Sequence, residues 1–304
     1  MMELLCVKGL SKSFGANKVI DNISFDVPEG SVFGFIGANG AGKTTTMKMI
    51  LGLLPPDSGE AFVCGERVCF GETKTNRHIG YLPDVPEFYG FMRPNEYLRL
   101  CGEIAGLNTD EAGRRIPELL EAVGLEKANK KIGGFSRGMK QRLGMAQALL
   151  NEPKLLICDE PTSALDPIGR KEVLDILKRI KGKTTVVFST HILSDVERIC
   201  DRVAVLSGGR IALSGTLPEL RASHSSDSIL IEFFSPADKE RFVFRAGSLT
   251  AKAEQSDTEL TLHVEDVAEA QKTILKILSE NEILPLRLEV LEPTVESLFL
   301  EVSK

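Results

Sequence analysis

Nowhere in the chain do about 18 apolar residues run together, which excludes a membrane-spanning helix of ordinary length. Met1 to Leu10 lacks the basic opening and long apolar core of a secretory signal, so the chain is expected to stay in the cytosol. Positive charge is not in excess: 37 basic against 43 acidic residues leave a net charge of −6. That balance argues against a nucleic-acid binder relying on a general basic surface, while leaving a local patch open. No two of the six cysteines form a C-x-x-C pair, and Cys158 lies inside an apolar run. Free thiols in a reducing compartment are therefore expected, rather than metal or disulfide sites. A heptad run is missing too, and with it any long coiled-coil insertion.

What is present is an ordinary globular composition, 42% hydrophobic and 26% charged over 304 residues, enough for one large α/β domain and a smaller one. The chain is organised around Gly37 to Thr44, Gly-Ala-Asn-Gly-Ala-Gly-Lys-Thr, which fits the phosphate-binding pattern G-x-x-x-x-G-K-[ST] at every fixed position. The apolar run Val32 to Ile36 reads as a buried strand delivering this loop, and Lys43 to Leu53 reads as the helix that follows. A polyphosphate needs backbone N–H groups aimed at it from several sides, so the chain must wrap closely; Gly37, Gly40 and Gly42 supply the dihedral freedom. The helix start adds unpaired N–H groups and a positive dipole end. Lys43 reaches the β and γ phosphates, and the Thr44 hydroxyl can ligate Mg²⁺, so the expected ligand is a Mg-nucleoside triphosphate.

The other candidates lie around this loop in chain order. Leu4–Leu10 and Ile20–Val27 read as strands joined through Ser11–Lys18, with Pro28-Glu29-Gly30 as a turn. Phe14, in that connection, is either a stray hydrophobe or an aromatic able to stack on a base. Ala61–Cys64 and Ile79–Leu82 read as strands, and Asp84 follows between Pro83 and Pro86. From Pro94 to Leu150 the spacing turns helical, with Asn95 or Thr109 as caps and Leu119, Leu120 and Val123 on one face. Ser136 is placed as the N-cap of a helix over Met139–Leu150, a role serine commonly has in any helix. Leu155–Cys158 reads as a parallel strand buried on both faces, ending in Asp159-Glu160. An acidic pair there is often a solvated turn; downstream of a phosphate loop it is expected to hold Mg²⁺ through Asp159 and to orient or deprotonate water through Glu160. Thr184–Phe188 is a further strand, leading to His191 at the same edge, able to contact a γ-phosphate or position water. His78, His224 and His263 read as surface or packing residues. Val203–Leu206 and Ile211–Ser214 read as a hairpin. The serine-rich stretch Arg221–Ser228 marks the boundary to a second domain. That domain has strands at Ile229–Phe234, at Leu260, Leu262 and Val264, and at Leu286, Leu288 and Val290. A helix is expected from about Val267 to Leu278, and a last one has Val295, Leu298, Phe299 and Val302 on one face.

Taken together these motifs resemble the ATP-binding subunit of an ATP-binding cassette (ABC) transporter, over about residues 3–220. Gly37–Thr44 matches Walker A, with Asn39, Ala41 and Thr45 implied as further nucleotide contacts. Leu155–Asp159 matches Walker B, with Glu160 as catalytic base and His191 as the switch histidine. Phe14 matches the adenine-stacking aromatic, and Ser163-Ala164-Leu165-Asp166 the D-loop, placing Asp166 at the nucleotide. The signature Leu-Ser-Gly-Gly-Gln is spelled Phe135-Ser136-Arg137-Gly138-Met139, keeping Ser136 and Gly138. With Glu292-Pro293-Thr294 and its following helix, this spelling is similar to the drug- and antibiotic-exporter branch.

The resemblance implies a P-loop ATPase core with an N-terminal antiparallel β subdomain and a helical signature subdomain over about 90–150. These make up a domain at 1–222, followed by a small α+β domain at 223–304. It also implies MgATP bound between two cassettes docked head to tail, as a homodimer or a paired cassette. Hydrolysis would then power a separate transmembrane permease from the inner face of the membrane, with no nucleic-acid role. Two departures stand out. Asp84 takes the place of the Q-loop glutamine, where it either reaches Mg²⁺ through water or is a turn residue, and Arg137 replaces the signature's first glycine. A cassette acting in translation or repair would carry two cassettes or a long coiled coil, neither present here; a regulatory module with little hydrolysis is kept open by Asp84.

Overall fold

The computed structural model describes residues 3–71, 74–223, 228–250, 253–264 and 266–291. They fall into two compact units, one ending at Leu217 and the other beginning at Pro218. The first runs β1 (Glu3–Phe14), β2 (Asn17–Pro28), β3 (Val32–Ile36), α1 (Lys43–Ile50), β4 (Ser58–Val63), β5 (Glu66–Arg67) and β6 (Ile79–Leu82). Three helices follow, α2 (Pro94–Ile104), α3 (Thr109–Ala122) and α4 (Arg137–Leu149), and then β7 (Leu155–Asp159), α5 (Pro167–Ile180) and β8 (Thr185–Thr190). The unit closes with α6 (Leu193–Ile199), β9 (Arg202–Ser207) and β10 (Arg210–Thr216), after which comes α7 (Leu217–Ser223).

Two sheets share one core. The six-stranded sheet has the order β10-β9-β3-β8-β7-β6, parallel except at β10, and β3, β7 and β8 are buried at every position. Helices covering both faces of a parallel sheet demand such unbroken apolar runs. The second sheet, β2-β1-β4-β5, is antiparallel, and β2 alternates so that Ile23, Phe25 and Val27 turn inward. Phe25 joins the sheets, its ring stacked at 5.5 Å on Phe33 and tilted at 5.3 Å from Phe35.

Several element ends differ from the sequence reading. β1 and β2 extend through most of the expected connection, leaving Gly15-Ala16 as the turn, because Lys12 and Ser13 keep pairing despite register shifts. Helix α1 stops at Ile50 instead of Leu53, where the N–H groups of Leu53 and Leu54 both return to the Lys48 carbonyl and close the last turn. The caps lie one or two residues upstream of Asn95 and Thr109. Arg93 precedes Pro94, whose missing N–H suits the first helical position, and Asn108 accepts from Glu111 N at 2.8 Å. Ser136 caps α4, accepting from Met139 N at 3.3 Å.

The second unit runs β11 (Ser228–Phe233), α8 (Pro236–Ala246), β12 (Ala253–Gln255), β13 (Glu259–His263), α9 (Val267–Glu280) and β14 (Pro285–Leu291). Its sheet order β12-β13-β11-β14, antiparallel throughout, makes it a split β-α-β-β-α-β fold of the ferredoxin-like kind. Its own core packs Ile229, Ile231 and Phe233 against Phe242, Ile274 and Leu278. Strand β11 ends at Phe233, leaving Phe234 exposed, and Val264 lies beyond β13. Helix α8, announced only by Ser235 capping Asp238 N ahead of Pro236, was not anticipated. His224, the serines at 225 and 226, Glu292-Pro293-Thr294 and the expected last helix lie outside the described residues. No helix among the described residues is long and apolar enough to cross a membrane.

Because Phe25 fills the seam between the sheets, Phe25→Ala should cost about 3–5 kcal/mol of stability. Urea unfolding should show its transition at lower denaturant than the parent's; an unchanged midpoint would remove Phe25 from that role.

Candidate active site

β3 ends at Ile36 and passes the chain into the glycine-rich loop, whose first N–H, from Gly37, is tied to the Thr190 carbonyl at 3.3 Å. Gly42 opens α1 at φ 107°, and a Cβ there would stand 2.4 Å from Ile20 Cδ1, so neither the turn nor the space admits a side chain. The start of α1 has no side-chain cap and no acidic residue in its first turn, which keeps its N–H groups and dipole end free for an anion. Lys43 is buried and curls back over the loop, donating to Gly37 O at 2.7 Å and Ala38 O at 3.2 Å.

The carboxylates reach the loop because β7 and β8 are paired in register, setting Asp159 beside Ser189. Ser189 Oγ donates to Asp159 Oδ1 at 2.5 Å, and Thr44 Oγ1 donates to Oδ2 at 2.6 Å. Glu160 comes next, at φ 48°, a left-handed conformation uncommon for a side chain of its size. Its N–H is held by both Ser189 O and Ser189 Oγ at 3.1 Å, which fixes that conformation. Glu160 Oε2 lies 2.9 Å from His191 Nδ1, and Oε1 lies 3.0 Å from Lys43 Nζ without the alignment of a hydrogen bond. Since a carboxylate only accepts, His191 carries its proton on Nδ1 in this pair.

Lys43, Thr44, Glu160 and His191 line one cleft of about 340 Å³, together with Asn39, Gly40, Gly42 and Thr45 of the loop. The Thr44 hydroxyl of this lining meets a carboxylate oxygen of Asp159, and both are hard donors of the kind Mg²⁺ takes, so the two residues fit that ion. Asp84 lines the same cleft, but its carboxylate is turned to Arg137, whose Nη2 lies 3.3 Å from Oδ1. Burial pushes the Asp84 carboxyl above the usual carboxylate range, against the pull of the Arg137 guanidinium.

The remaining candidates lie elsewhere. Phe14 stands half-exposed at the end of β1, with Lys12 Nζ 5.7 Å from its ring centre. Ser136 and Gly138 sit at the start of α4, and Asp166 caps α5 by accepting from Gly169 N at 3.2 Å. Gly37 and Ala41 shape the loop from behind: a Cβ on Gly37 would stand 2.8 Å from Leu206 O. Ser163, read from the sequence only as part of the D-loop match, also lines the cleft, whereas the lining residue Val19 and the organising Ser189 are not among the sequence candidates. For Ser189 the available signal was a hydroxyl residue ending a buried strand two positions before His191.

The sequence profile described as "ABC transporter" matches residues 20–163. An uncharacterized ABC transporter ATP-binding protein, YxlF of Bacillus subtilis (strain 168), is 47% identical over 225 residues, 74% of this chain and 75% of that protein. The linearmycin resistance ATP-binding protein LnrL of the same organism is 35% identical over 99% of this chain and 98% of its own length. Among solved structures, the dimeric ATP-binding cassette MJ0796 in a post-hydrolysis state with ADP and Pi superposes with a TM-score of 0.63. It is 26% identical, over 70% of this chain and 98% of that one. With the phosphate loop, the acidic strand end and the histidine already in one cleft, these likenesses establish that the chain belongs to the family of ABC transporter ATP-binding proteins.

Proposed function

We propose that the chain binds MgATP in the cleft at the carboxyl edge of β3, β7 and β8, and hydrolyses it to drive a separate membrane permease. The observation that carries this reading is the convergence of Lys43, Thr44, Glu160 and His191 on a single cleft, with buried Asp159 hydrogen-bonded to Thr44 at 2.6 Å. The N–H groups of the loop and α1 cradle the phosphates, and Lys43, now shared between loop carbonyls and Glu160, supplies a cation to the β and γ groups. Thr44 and Asp159 hold Mg²⁺, which when bound neutralises charge gathering on the phosphate oxygens. Glu160 Oε1, with no aligned donor, accepts the proton of the attacking water, and His191 keeps the carboxylate aimed through Oε2.

A triphosphate held only from this side leaves its γ-phosphate open. Ser136, Gly138 and Asp166, which do not line the cleft of their own copy, are assigned to the nucleotide of a second copy docked head to tail. Phe14 is assigned to the adenine. The dimeric ADP-bound cassette to which the chain is similar supports this arrangement. ATP then favours the closed pair and its products favour separation, a difference in affinity that can drive a partner's change of shape. Similarity to a linearmycin resistance protein along nearly the whole chain supports export as the direction. The permease places the chain on the inner face of the membrane. Residues 1–222 are assigned to the cassette and 223–304 to an accessory domain.

Two substitutions separate binding from chemistry. Removing the ammonium in Lys43→Met should weaken ATP binding at least tenfold by calorimetry; unaltered affinity would overturn the assignment of the loop. Glu160→Gln keeps the shape of the site but not its basicity. It should lose about 10²–10³-fold in kcat while still holding ATP, and a variant turning over at the parent's rate would take the base role from Glu160.

A further inference from the structure

The two positions at which the chain departs from the family pattern, Asp84 and Arg137, are partners in space. A glutamine at 84 and a glycine at 137 would form no charge pair, whereas here a carboxylate and a guanidinium meet at 3.3 Å. The pair sits at the end of a longer contact. Arg137, Gln141, Gly144 and Ala148 follow one another by four, three and four residues and so share one face of α4.

Each of them meets a successive point of β6 and the loop after it. Buried Gln141 donates from Nε2 to the Asp84 carbonyl at 2.8 Å. A Cβ on Gly144 would stand 2.6 Å from Leu82 Cδ1 and 3.3 Å from Pro86 Cβ, and one on Gly80 would stand 2.1 Å from the Ala148 carbonyl. Contacts this close leave α4 no room to slide along β6. Asp84 also borders two spaces at once: the nucleotide cleft, with Lys43, Thr44 and Glu160, and a cavity of about 430 Å³ beside α4, with Arg137.

We propose that Arg137 is a positioning residue: through Asp84 it fixes the start of α4, and the Ser136 cap with it, to the wall of its own copy's nucleotide cleft. The end of α4 offered to the second copy is thereby held in fixed register with the first cleft. This rests on the head-to-tail reading above, and it adds the pair as the link between the two sites. Both side chains are 44% exposed, so the ion pair is screened and adds little to folding stability. Its consequence is geometric, and it belongs in turnover rather than in the unfolding curve.

A double-mutant cycle on the full chain tests this. MgATP turnover is followed against ATP concentration for the parent, Asp84→Asn, Arg137→Gln and the double variant, with thermal unfolding alongside. Arg137→Gln alone should lower kcat about two- to fivefold with KM within about twofold. In the Asp84→Asn background the same change should add no further loss, and Arg137→Lys, which keeps the charge, should recover at least half of it. Losses that multiply in the double variant, an unchanged kcat in Arg137→Gln, or a fall in kcat matched by a fall in melting temperature would each overturn the proposal. An inactive parent would instead overturn the ATPase reading and this one with it, whereas an active parent with multiplying losses overturns the pairing alone.

Discussion

The site depends on one carboxylate. Asp159 is the last residue of a strand buried along its whole length, and it receives hydroxyls from two other segments, Thr44 from the start of α1 and Ser189 from β8. A buried carboxylate left without donors is costly, and each charge-assisted hydrogen bond it gains is stronger than a neutral one. The chain is therefore drawn to a conformation in which the phosphate loop, the acidic strand end and the strand leading to His191 share one edge. Ser189 extends the effect by holding the Glu160 N–H, which keeps that residue in its left-handed conformation and its carboxylate between Lys43 and His191. The parallel register of β7 and β8 makes this possible, since a slip of one residue would turn every side chain of the strand to the opposite face.

A second constraint joins α4 to β6. The site on β3, β7 and β8 is rigid because it is built into the sheet, while α4 belongs to the helical insertion between β6 and β7. The glycine contacts at 80 and 144 couple that insertion to the sheet at β6, the outermost strand on that side. Asp84 follows immediately after, where one carboxylate borders both the cleft and the helix. Small residues at 80 and 144 thus have a mechanical consequence that their lack of chemistry conceals.

Much of this was legible in the sequence, for physical reasons that can be named. The loop was readable because wrapping a phosphate restricts residue types at fixed spacing, and the buried strands because burial on both faces makes their central positions a continuous apolar run, with polar residues confined to the ends. Element ends were less legible. Lys12 and Ser13 look like a loop, but a strand bounded by backbone pairing needs no apolar residue at its end. α8 was missed because its inward face is little more than Phe242 and Ala246, too few to set a period. The Asp84–Arg137 contact was out of reach for a different reason: both residues were noticed as departures, but 53 positions separate them. Nothing in either local sequence says that α4 packs face-on against β6.

The distribution of the candidates carries a last step of argument. Those lining the cleft follow four neighbouring strands, β3, β8, β7 and β6, whereas Ser136 and Gly138 begin a helix in the insertion and Phe14 ends a strand of the other sheet. Close contacts at Gly80 and Gly144 hold α4 against β6, and neither Ser136 nor Gly138 is among the residues that line the cleft. Under the head-to-tail proposal, the phosphate that Ser136 meets belongs to another copy. On the proposed reading the fold itself withholds half of the site from each chain, and association becomes the step that nucleotide controls. The second unit has a core of its own, and Glu259 and Arg287 are exposed on its sheet.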